Sequence, residues 1–369
     1  MKILITGANG FVGKNLVAEL INIGYRDLFL YDIDSTEEEL YKYTKECEFV
    51  FHLAGVNRPK NESEFMEGNF GFTSKLLGLL EKNNNKAPVL ITSSIQAEKD
   101  NSYGKSKKAG EDLLFQYGKR TGVKVLVYRL TNLFGKWSRP NYNTVVATYC
   151  YNIARNIEIQ VNDPEAELNL CYIDDVIEEF IRALSGNENT NGMYCEVPIT
   201  HKIRLGNLAT IIRSFKDSRK NLIIPDMEDL LTKKLYSTYL SFLPKDKFSY
   251  DLKMNCDSRG SFTEAIKTIK SGQVSINISK PGITKGNHWH HTKNEKFLVV
   301  SGEGVIRFRE IHSNEIIEYK VSGDSLQVVD IPTGYTHSIE NVGACDMVTV
   351  MWANEIFNPE KPDTYYLEV

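Results

Sequence analysis

The chain has 369 residues, of which 41% are hydrophobic and 25% are charged, and its formal net charge is −4. A single hydrophobic core stops growing at about 250–300 residues, so this length favours two domains. The charge balance argues against a strongly basic surface of the kind that binds nucleic acid or an anionic membrane. No apolar run approaches the ~18 residues of a membrane span.

Short apolar strands alternate with helical patterns up to about residue 210. Strands are predicted at residues 2–6, 28–32, 49–53, 89–92 and 125–129. Helical spacing of apolar residues covers residues 12–23, 69–82 and 103–121. This alternation is typical of an α/β Rossmann fold, a doubly wound parallel sheet, which we predict for residues 1–245.

A glycine-rich turn joins the first predicted strand to the first predicted helix. Residues 6–13 follow the pattern T-G-x-x-G-x-x-G. Glycines at these positions let the backbone approach a pyrophosphate at the N-terminus of a helix, so the turn predicts a dinucleotide site. Asp32, at the end of the second strand, is placed to bind a ribose 2′-hydroxyl, which favours NAD over NADP.

Candidate catalytic residues follow the fourth predicted strand. Tyr103 and Lys107 form a Y-x-x-x-K pair, and this spacing puts both side chains on one face of a helix. A phenol is a poor proton donor or acceptor at neutral pH, and a cation one turn away brings its pKa towards the working range. Three adjacent hydroxyls, those of Thr92, Ser93 and Ser94, are candidates to bind a reacting carbonyl oxygen.

These motifs resemble the extended short-chain dehydrogenase/reductase family, which includes nucleotide-sugar epimerases and reductases. The resemblance covers residues 1–245 and extends to H-L-A-G at residues 52–55, Asn69, R-L-T-N at residues 129–132 and Y-I-D-D-V at residues 172–176. It selects Ser94 as the catalytic serine and implies that Asn132 contacts the substrate. It also implies NADP(H) as cofactor. The Asp32 carboxylate argues against NADP(H), so NAD stays possible. The cofactor-binding residues predicted in this way are Gly7, Asn9, Gly10, Phe11, Val12, Gly13, Asp32, Leu53 and Ala54.

From about residue 260 the pattern changes to short alternating runs separated by turn residues. These runs cover residues 273–279, 296–301, 305–309 and 316–321. Regular short strands with turns between them are typical of an antiparallel sandwich or barrel. We therefore predict a second, all-β domain over residues 250–369.

Two histidine-rich motifs lie in this second half, and together they resemble the paired motifs of the cupin barrel. The first is G-x5-H-x-H-x4-E-x6-G from residue 282, and the second is P-x-G-x2-H-x3-N from residue 332. The predicted metal ligands are His288, His290, Glu295 and His337. Three imidazoles and one carboxylate suit Zn²⁺, Fe²⁺, Ni²⁺ or Mn²⁺; zinc is our first choice, and the metal's role, catalytic or structural, stays open.

The segment D-S-R-G-S-F-T-E at residues 257–264 resembles the opening of deoxysugar 3- and 3,5-epimerases. The resemblance implies that Arg259 and Glu264 help to hold a nucleotide diphosphate sugar. An arginine suits a pyrophosphate because its planar group donates two parallel hydrogen bonds. No acid or base of the cupin domain is assigned from the sequence.

The two halves together resemble the bifunctional UDP-sugar epimerase/reductases of capsular polysaccharide biosynthesis. The resemblance implies epimerisation at C3 of a UDP-2-acetamido-2,6-dideoxy-4-hexulose by the cupin, followed by reduction of the C4 ketone to UDP-N-acetyl-6-deoxy-L-talosamine. The main alternative is a monofunctional reductase whose cupin serves dimerisation or stability. A redox-sensing regulator and a metal-dependent oxygenase are weaker alternatives.

The six cysteines are scattered, with no C-x-x-C pair, and the N-terminus lacks a signal peptide pattern. Isolated thiols of this kind are typical of a reducing compartment, so we expect a cytoplasmic protein. A homodimer with no nucleic acid or membrane partner is also expected.

Overall fold

The computed structural model describes residues 1–369, which divide into two compact units. The first unit comprises Met1–Arg213 and Lys233–Pro244, and the second comprises Ser214–Thr232 and Lys245–Val369. The sequence pattern gave no sign that Ser214–Thr232 belongs with the second unit. Backbone hydrogen bonds explain the association, because Lys267 exchanges N–H···O bonds with Leu222 and Ile224 at 2.8 Å each.

The first unit contains ten short strands and most of the helical residues of the chain. The strands are β1 (Ile3–Thr6), β2 (Leu28–Tyr31), β3 (Phe49–His52), β4 (Val89–Ser94), β5 (Val125–Leu130), β6 (Asn132–Phe134), β7 (Glu167–Tyr172), β8 (Thr190–Asn191), β9 (Tyr194–Cys195) and β10 (His201–Arg204). The α-helices are α1 (Phe11–Asn22), α2 (Glu37–Glu46), α3 (Ser63–Phe65), α4 (Phe72–Lys82), α5 (Ser102–Thr121), α6 (Val145–Ala154), α7 (Ile173–Leu184), α8 (Leu205–Asn221) and α9 (Leu230–Ser241). A π-helical segment, Met66–Gly71, precedes α4, and a short 3₁₀ segment covers Ile95–Glu98. The end of α8, the start of α9 and the 3₁₀ segment Lys245–Lys247 belong to the second unit.

The main sheet has the order β2-β1-β3-β4-β5-β9-β8, parallel except for β8. Helices α1 and α7 bury apolar side chains such as Leu16 and Phe180 against one face, and α2, α4 and α5 bury Leu40, Leu76 and Leu114 against the other. The predicted doubly wound parallel sheet is confirmed. Because the strand order reverses beside β1, the carboxyl ends of the central strands open onto a crevice of the kind that binds ligands in such folds.

The second unit consists of antiparallel strands in two sheets. The strands are β11 (Met254–Asp257), β12 (Gly260–Thr268), β13 (Gly272–Ser279), β14 (Thr284–Trp289), β15 (Glu295–Ser301), β16 (Glu303–Glu310), β17 (Ile316–Ser322), β18 (Val328–Ile331), β19 (Tyr335–Asn341), β20 (Met347–Ala353) and β21 (Tyr365–Tyr366). The sheet orders are β11-β12-β13-β20-β15-β18 and β17-β16-β19-β14-β21. Phe297, Ile306, Phe308 and Ile339 lie in the core of this unit. The predicted all-β, cupin-type domain is confirmed.

None of the helices combines the length and the apolar character that a membrane-spanning segment needs.

Candidate functional site

The glycine-rich turn after β1 is packed too closely for side chains. Gly7 has a φ of 71°, and a Cβ at this position would lie 2.8 Å from the backbone nitrogen of Ala54. A Cβ at Gly13 would lie 2.2 Å from the carbonyl oxygen of Gly7. Helix α1 then begins at Phe11 after Gly10, which supplies no capping side chain. The N–H groups of the first turn of α1 therefore have no capping side chain as a partner, and no side chain of the turn blocks access to them. Such N–H groups can bind a pyrophosphate.

Asp32 follows β2 and holds the same turn from the side. Its Oδ2 accepts a hydrogen bond from the backbone N–H of Asn9 at 2.7 Å, and its Oδ1 accepts one from the N–H of Ile33 at 2.8 Å. The carboxylate thus lies beside the turn, where the ribose of a bound dinucleotide would be expected.

A cavity of about 1270 Å³ opens at the carboxyl edge of the main sheet. All the predicted cofactor-binding and catalytic residues of the first unit, together with Asn132, line this one cavity. The residues are Gly7, Asn9, Gly10, Phe11, Val12, Gly13, Asp32, Leu53, Ala54, Ser94, Tyr103, Lys107 and Asn132. The arrangement gives one continuous space for a dinucleotide and a second ligand beside Tyr103.

Tyr103 lies in the first turn of α5, and its hydroxyl donates a hydrogen bond to Oδ1 of Asn57 at 2.9 Å. Burial raises the pKa of Tyr103, and a hydrogen bond with Ser94 acts in the opposite direction. From the sequence alone, Lys107 is expected to lower the pKa of this phenol; in the structure the pKa is raised, because desolvation dominates. A phenol that keeps its proton at neutral pH is suited to donating that proton to an alkoxide.

Lys107 is a partly buried cation that lines the same cavity. Its Nζ donates a hydrogen bond to the carbonyl oxygen of Thr92 at 3.2 Å, and burial lowers its pKa to about 8. A Cβ at Gly55 would lie 3.0 Å from this Nζ and 2.9 Å from Oδ1 of Asn69. The close approach gives a physical reason for glycine at this position.

The structure distinguishes the two serines at the end of β4. Ser93 is buried and donates a hydrogen bond to Oε1 of Glu111 at 2.5 Å, and this carboxylate also pairs with Arg129 at 2.6 Å. Both serines line the cavity, and Ser94 accepts a hydrogen bond from the N–H of Gln96 at 3.2 Å. Because the Ser93 hydroxyl is held by the buried Glu111 carboxylate, Ser94 is the better candidate to bind a ligand.

A loop that the sequence argument did not single out also lines the cavity. Trp137, Arg139 and Tyr142 belong to the segment between β6 and α6. The Arg139 guanidinium lies 4.9 Å from the Tyr142 ring centroid, and that of Arg58 lies 5.8 Å from the same centroid. Only the clustering of aromatic and basic residues at positions 136–143 could have drawn attention to this loop from the sequence.

The four predicted metal ligands converge in the second unit. The potential ligand atoms of His288, His290, Glu295 and His337 all lie within 4.8 Å of one another. Oε2 of Glu295 is 3.5 Å from Nε2 of His290 and 3.4 Å from Nε2 of His337, and none of these three buried atoms has a hydrogen-bond partner. Tetrahedral zinc with bonds of ~2.1 Å separates its ligand atoms by roughly 3.4 Å, so the cluster fits such an ion.

The surroundings orient these ligands. Nδ1 of His290 lies 2.6 Å from the carbonyl oxygen of Asp363, so a proton on Nδ1 leaves Nε2 free to bind a metal. The Asp363 carboxylate accepts hydrogen bonds from the backbone N–H groups of His291, Thr292 and Lys293 and so fixes the loop that follows His290. Burial alone would raise the pKa of Glu295, but its contacts with His290 and His337 lower it below the usual range.

A second cavity, of about 440 Å³, opens beside this cluster. His288, Glu295 and His337 line it together with Arg259, whose guanidinium pairs with the Asp257 carboxylate at 2.7 Å. Glu264, the other residue predicted to hold substrate, is not among the residues that line the cavity. Its carboxylate pairs instead with Lys267 at 2.9 Å. The structure therefore brings Arg259, but not Glu264, to the cavity that three of the predicted metal ligands line.

Comparisons with known proteins match the two units separately and together. Residues 3–194 match the NAD dependent epimerase/dehydratase family, and residues 255–365 match the polysaccharide biosynthesis C-terminal domain. A protein of Pseudomonas aeruginosa, UDP-2-acetamido-2,6-beta-L-arabino-hexul-4-ose reductase, is 46% identical over 369 residues, which are 100% of this chain and 99% of that protein. The crystal structure of the capsular polysaccharide assembling protein CapF from Staphylococcus aureus matches with a TM-score of 0.95 at 56% identity over 100% of both chains. The UDP-glucose 4-epimerase of Thermotoga maritima has a TM-score of 0.54 at 21% identity over 66% of this chain and 98% of that chain, a likeness of fold alone.

Proposed function

The chain belongs to the NAD dependent epimerase/dehydratase family, and on that premise we propose that it is a bifunctional UDP-sugar enzyme of capsular polysaccharide synthesis. In this proposal the C-terminal domain, residues 250–369, inverts C3 of a UDP-2-acetamido-2,6-dideoxy-4-hexulose. The N-terminal domain, residues 1–245, then reduces the C4 ketone to UDP-N-acetyl-6-deoxy-L-talosamine, a precursor of N-acetyl-L-fucosamine. The observation that carries the proposal is the presence of two separate cavities, one in each unit. The first is lined by the predicted cofactor-binding and catalytic residues, and the second by predicted metal ligands and Arg259. The full-length relatives named for a UDP-hexulose reductase and for capsule assembly supply the substrate class.

Reduction is assigned to the cavity of the first unit. A nicotinamide cofactor bound on the glycine-rich turn supplies the hydride. Ser94 donates a hydrogen bond to the C4 carbonyl oxygen, which orients the ketone, and Tyr103 transfers its proton to the alkoxide that forms there. The partly buried Lys107 cation favours the phenolate that Tyr103 leaves behind.

Inversion at C3 is assigned to the cavity of the second unit. A C3 proton is acidic only while C4 is a ketone, because the resulting carbanion is delocalised as an enolate. Inversion must therefore precede reduction, and reduction then removes the activating carbonyl and preserves the new configuration. A divalent cation on His288, His290, Glu295 and His337, with zinc as the first candidate, would supply positive charge next to the developing enolate oxygen. Arg259 is assigned to the diphosphate of the substrate.

Hydrogen exchange at C3 tests the proposal on the full-length protein. The UDP-4-keto-sugar is incubated with the protein in D₂O without dinucleotide, and proton NMR follows C3. We expect deuterium at C3 before any reduction, and reduction of the deuterated sugar once NADPH is added. Retention of protium at C3 by a metal-loaded protein that still reduces the ketone would favour the alternative, a monofunctional reductase whose cupin serves dimerisation or stability.

The choice between NADPH and NADH depends on Asp32. The resemblance implies NADPH, whereas a carboxylate beside the ribose repels a 2′-phosphate. We expect Asp32→Asn to raise the ratio of kcat/KM for NADPH to that for NADH by about tenfold, which corresponds to about 1.4 kcal/mol. The substitution removes the charge but keeps an oxygen that can accept the hydrogen bond from Asn9.

Steady-state kinetics with both cofactors measure this ratio. Asp34→Asn, an exposed carboxylate two residues further on, is the matched control and should leave the ratio unchanged. An equal response of the two variants would mean that Asp32 does not face the ribose.

A further inference from the structure

The cavity of the second unit contains an amine whose surroundings suit a base. Lys285 lies on β14 and lines the cavity together with His288, His337 and Ile339. Lys285 and His288 are three positions apart, so in a regular strand their side chains would point to opposite faces. The structure places both on the same face, and a backbone irregularity explains how.

A β-bulge in β14 changes the phase of the strand. Lys285 pairs with Ile339 and His288 pairs with His337, so that Asn287 is an extra residue opposite no partner. Asn287 adopts a φ of 59°, in the left-handed region, which marks it as the bulged position. Paired residues of antiparallel strands project to the same face, and Ile339 and His337 are both buried in the interior. The bulge therefore turns Lys285 towards the same interior space as the metal ligands.

The Lys285 amine donates two hydrogen bonds, both to neutral acceptors. Its Nζ donates to Oδ1 of Asn277 at 2.8 Å and to the carbonyl oxygen of Ile278 at 2.9 Å. A neutral amine has two N–H groups and one lone pair, so these two acceptors can use both hydrogens and leave the lone pair for a ligand. Lys285 forms no ion pair, because the nearby Asp257 carboxylate is paired with Arg259.

We propose that Lys285 is the base that removes the C3 proton of the UDP-4-keto-sugar. This inference rests on the epimerisation proposed above. The Nζ lone pair forms a bond to the C3 proton, the electrons of the C3–H bond form a C3=C4 double bond, and the carbonyl π electrons move to O4. The products of this step are an enolate and the Lys285 ammonium. Water returns a proton to the opposite face of C3, the enolate electrons restore the carbonyl, and the ammonium releases its proton to solvent.

The electrostatic setting supports this role. Burial is the main influence on Lys285 and lowers its pKa, with Arg259 acting in the same direction and Asp257 in the opposite one. Two carboxylates that line the same cavity are already engaged, Asp257 by Arg259 and Glu295 by the histidine cluster. Lys293 lines the same cavity, but it is buried, and its Nζ donates to Oγ1 of Thr364 at 2.8 Å.

Two substitutions of Lys285 in the full-length protein test the proposal by C3 exchange in D₂O without dinucleotide. Lys285→Met removes the amine, and Lys285→Arg keeps a cation that cannot lose its proton at working pH. We expect both to lower the exchange rate at least about 100-fold, the usual contribution of a positioned base. Wild-type exchange should rise with pH to a plateau as the amine becomes neutral. Lys320→Met, an exposed lysine on β17, is the control and should exchange at the wild-type rate.

The outcomes separate this inference from the proposed function. Absence of exchange in the wild-type protein would contradict the epimerase assignment itself. Wild-type exchange that persists in Lys285→Met, or that is lost in Lys293→Met instead, would overturn the role of Lys285 alone. Exchange lost in Lys285→Met but retained in Lys285→Arg would also overturn it, because a permanent cation could only stabilise the enolate. Metal content by elemental analysis, together with oxidation of NADPH on ketone already inverted at C3, shows whether each variant is folded.

Discussion

Replacement of Tyr103 by phenylalanine should lower kcat for ketone reduction by about 10²–10⁴-fold, the range typical of a lost general acid. The ring contact with Phe65, at a centroid distance of 5.5 Å, does not involve the hydroxyl, so the fold of α5 should be kept. Dinucleotide binding should stay near the wild-type value, because the glycine-rich turn is untouched. NADPH oxidation measures kcat, and fluorescence titration of the dinucleotide measures binding.

Lys107→Met should reduce kcat in the same way, since it removes the cation that favours the phenolate. Lys105→Met is the matched control: Lys105 lies on the same helix but is exposed and pairs with Asp100 at 2.7 Å. Because the pKa of Lys107 is lowered to about 8, the cation is present at neutral pH, and wild-type kcat should fall as the pH rises through about 8. Wild-type turnover in Tyr103→Phe would remove the Y-x-x-x-K pair from the mechanism.

His290→Ala should abolish stoichiometric metal binding and destabilise the second unit. A ligand that binds only the folded state stabilises it by RT ln(1 + [L]/Kd), about 4 kcal/mol when the free metal is about a thousandfold above Kd. That stabilisation is lost with the ligand set, so the melting transition of the second unit should move to lower temperature. Elemental analysis gives the metal content, and calorimetry follows the transition.

The matched control is His312→Ala, since His312 is exposed and lies outside the cluster. Removal of metal from the wild-type protein by a chelator should reproduce the His290→Ala transition, and chelation of the variant should change little further. A metal stoichiometry that is unchanged in His290→Ala would mean that the histidine cluster is not the ligand set.

The sequence alone was sufficient for those features that depend on short spacings. The turn at residues 6–13, the Tyr103–Lys107 pair and the His288–His290 pair each depend on a short spacing, and the resemblance to the cupin motifs added Glu295 and His337. The parallel and antiparallel sheets were also predictable, because burial on both faces or on one face leaves different apolar patterns. Helix α2 was missed, although Thr36 and Glu39 form a capping box that the sequence carries as T-x-x-E.

Only the tertiary structure decided which groups meet across long separations. The association of Ser214–Thr232 with the second unit depends on backbone hydrogen bonds to Lys267, and backbone groups carry no sequence signature. The pKa of Tyr103 is raised because surrounding elements bury its hydroxyl. This burial outweighs the effect of the nearby Lys107 cation that the motif suggested. Glu264 does not line the predicted substrate cavity, and its carboxylate pairs instead with Lys267 on the same strand. Lys285 reached the interior because one extra residue in β14 shifts the strand phase, and a strict period of two cannot anticipate that shift.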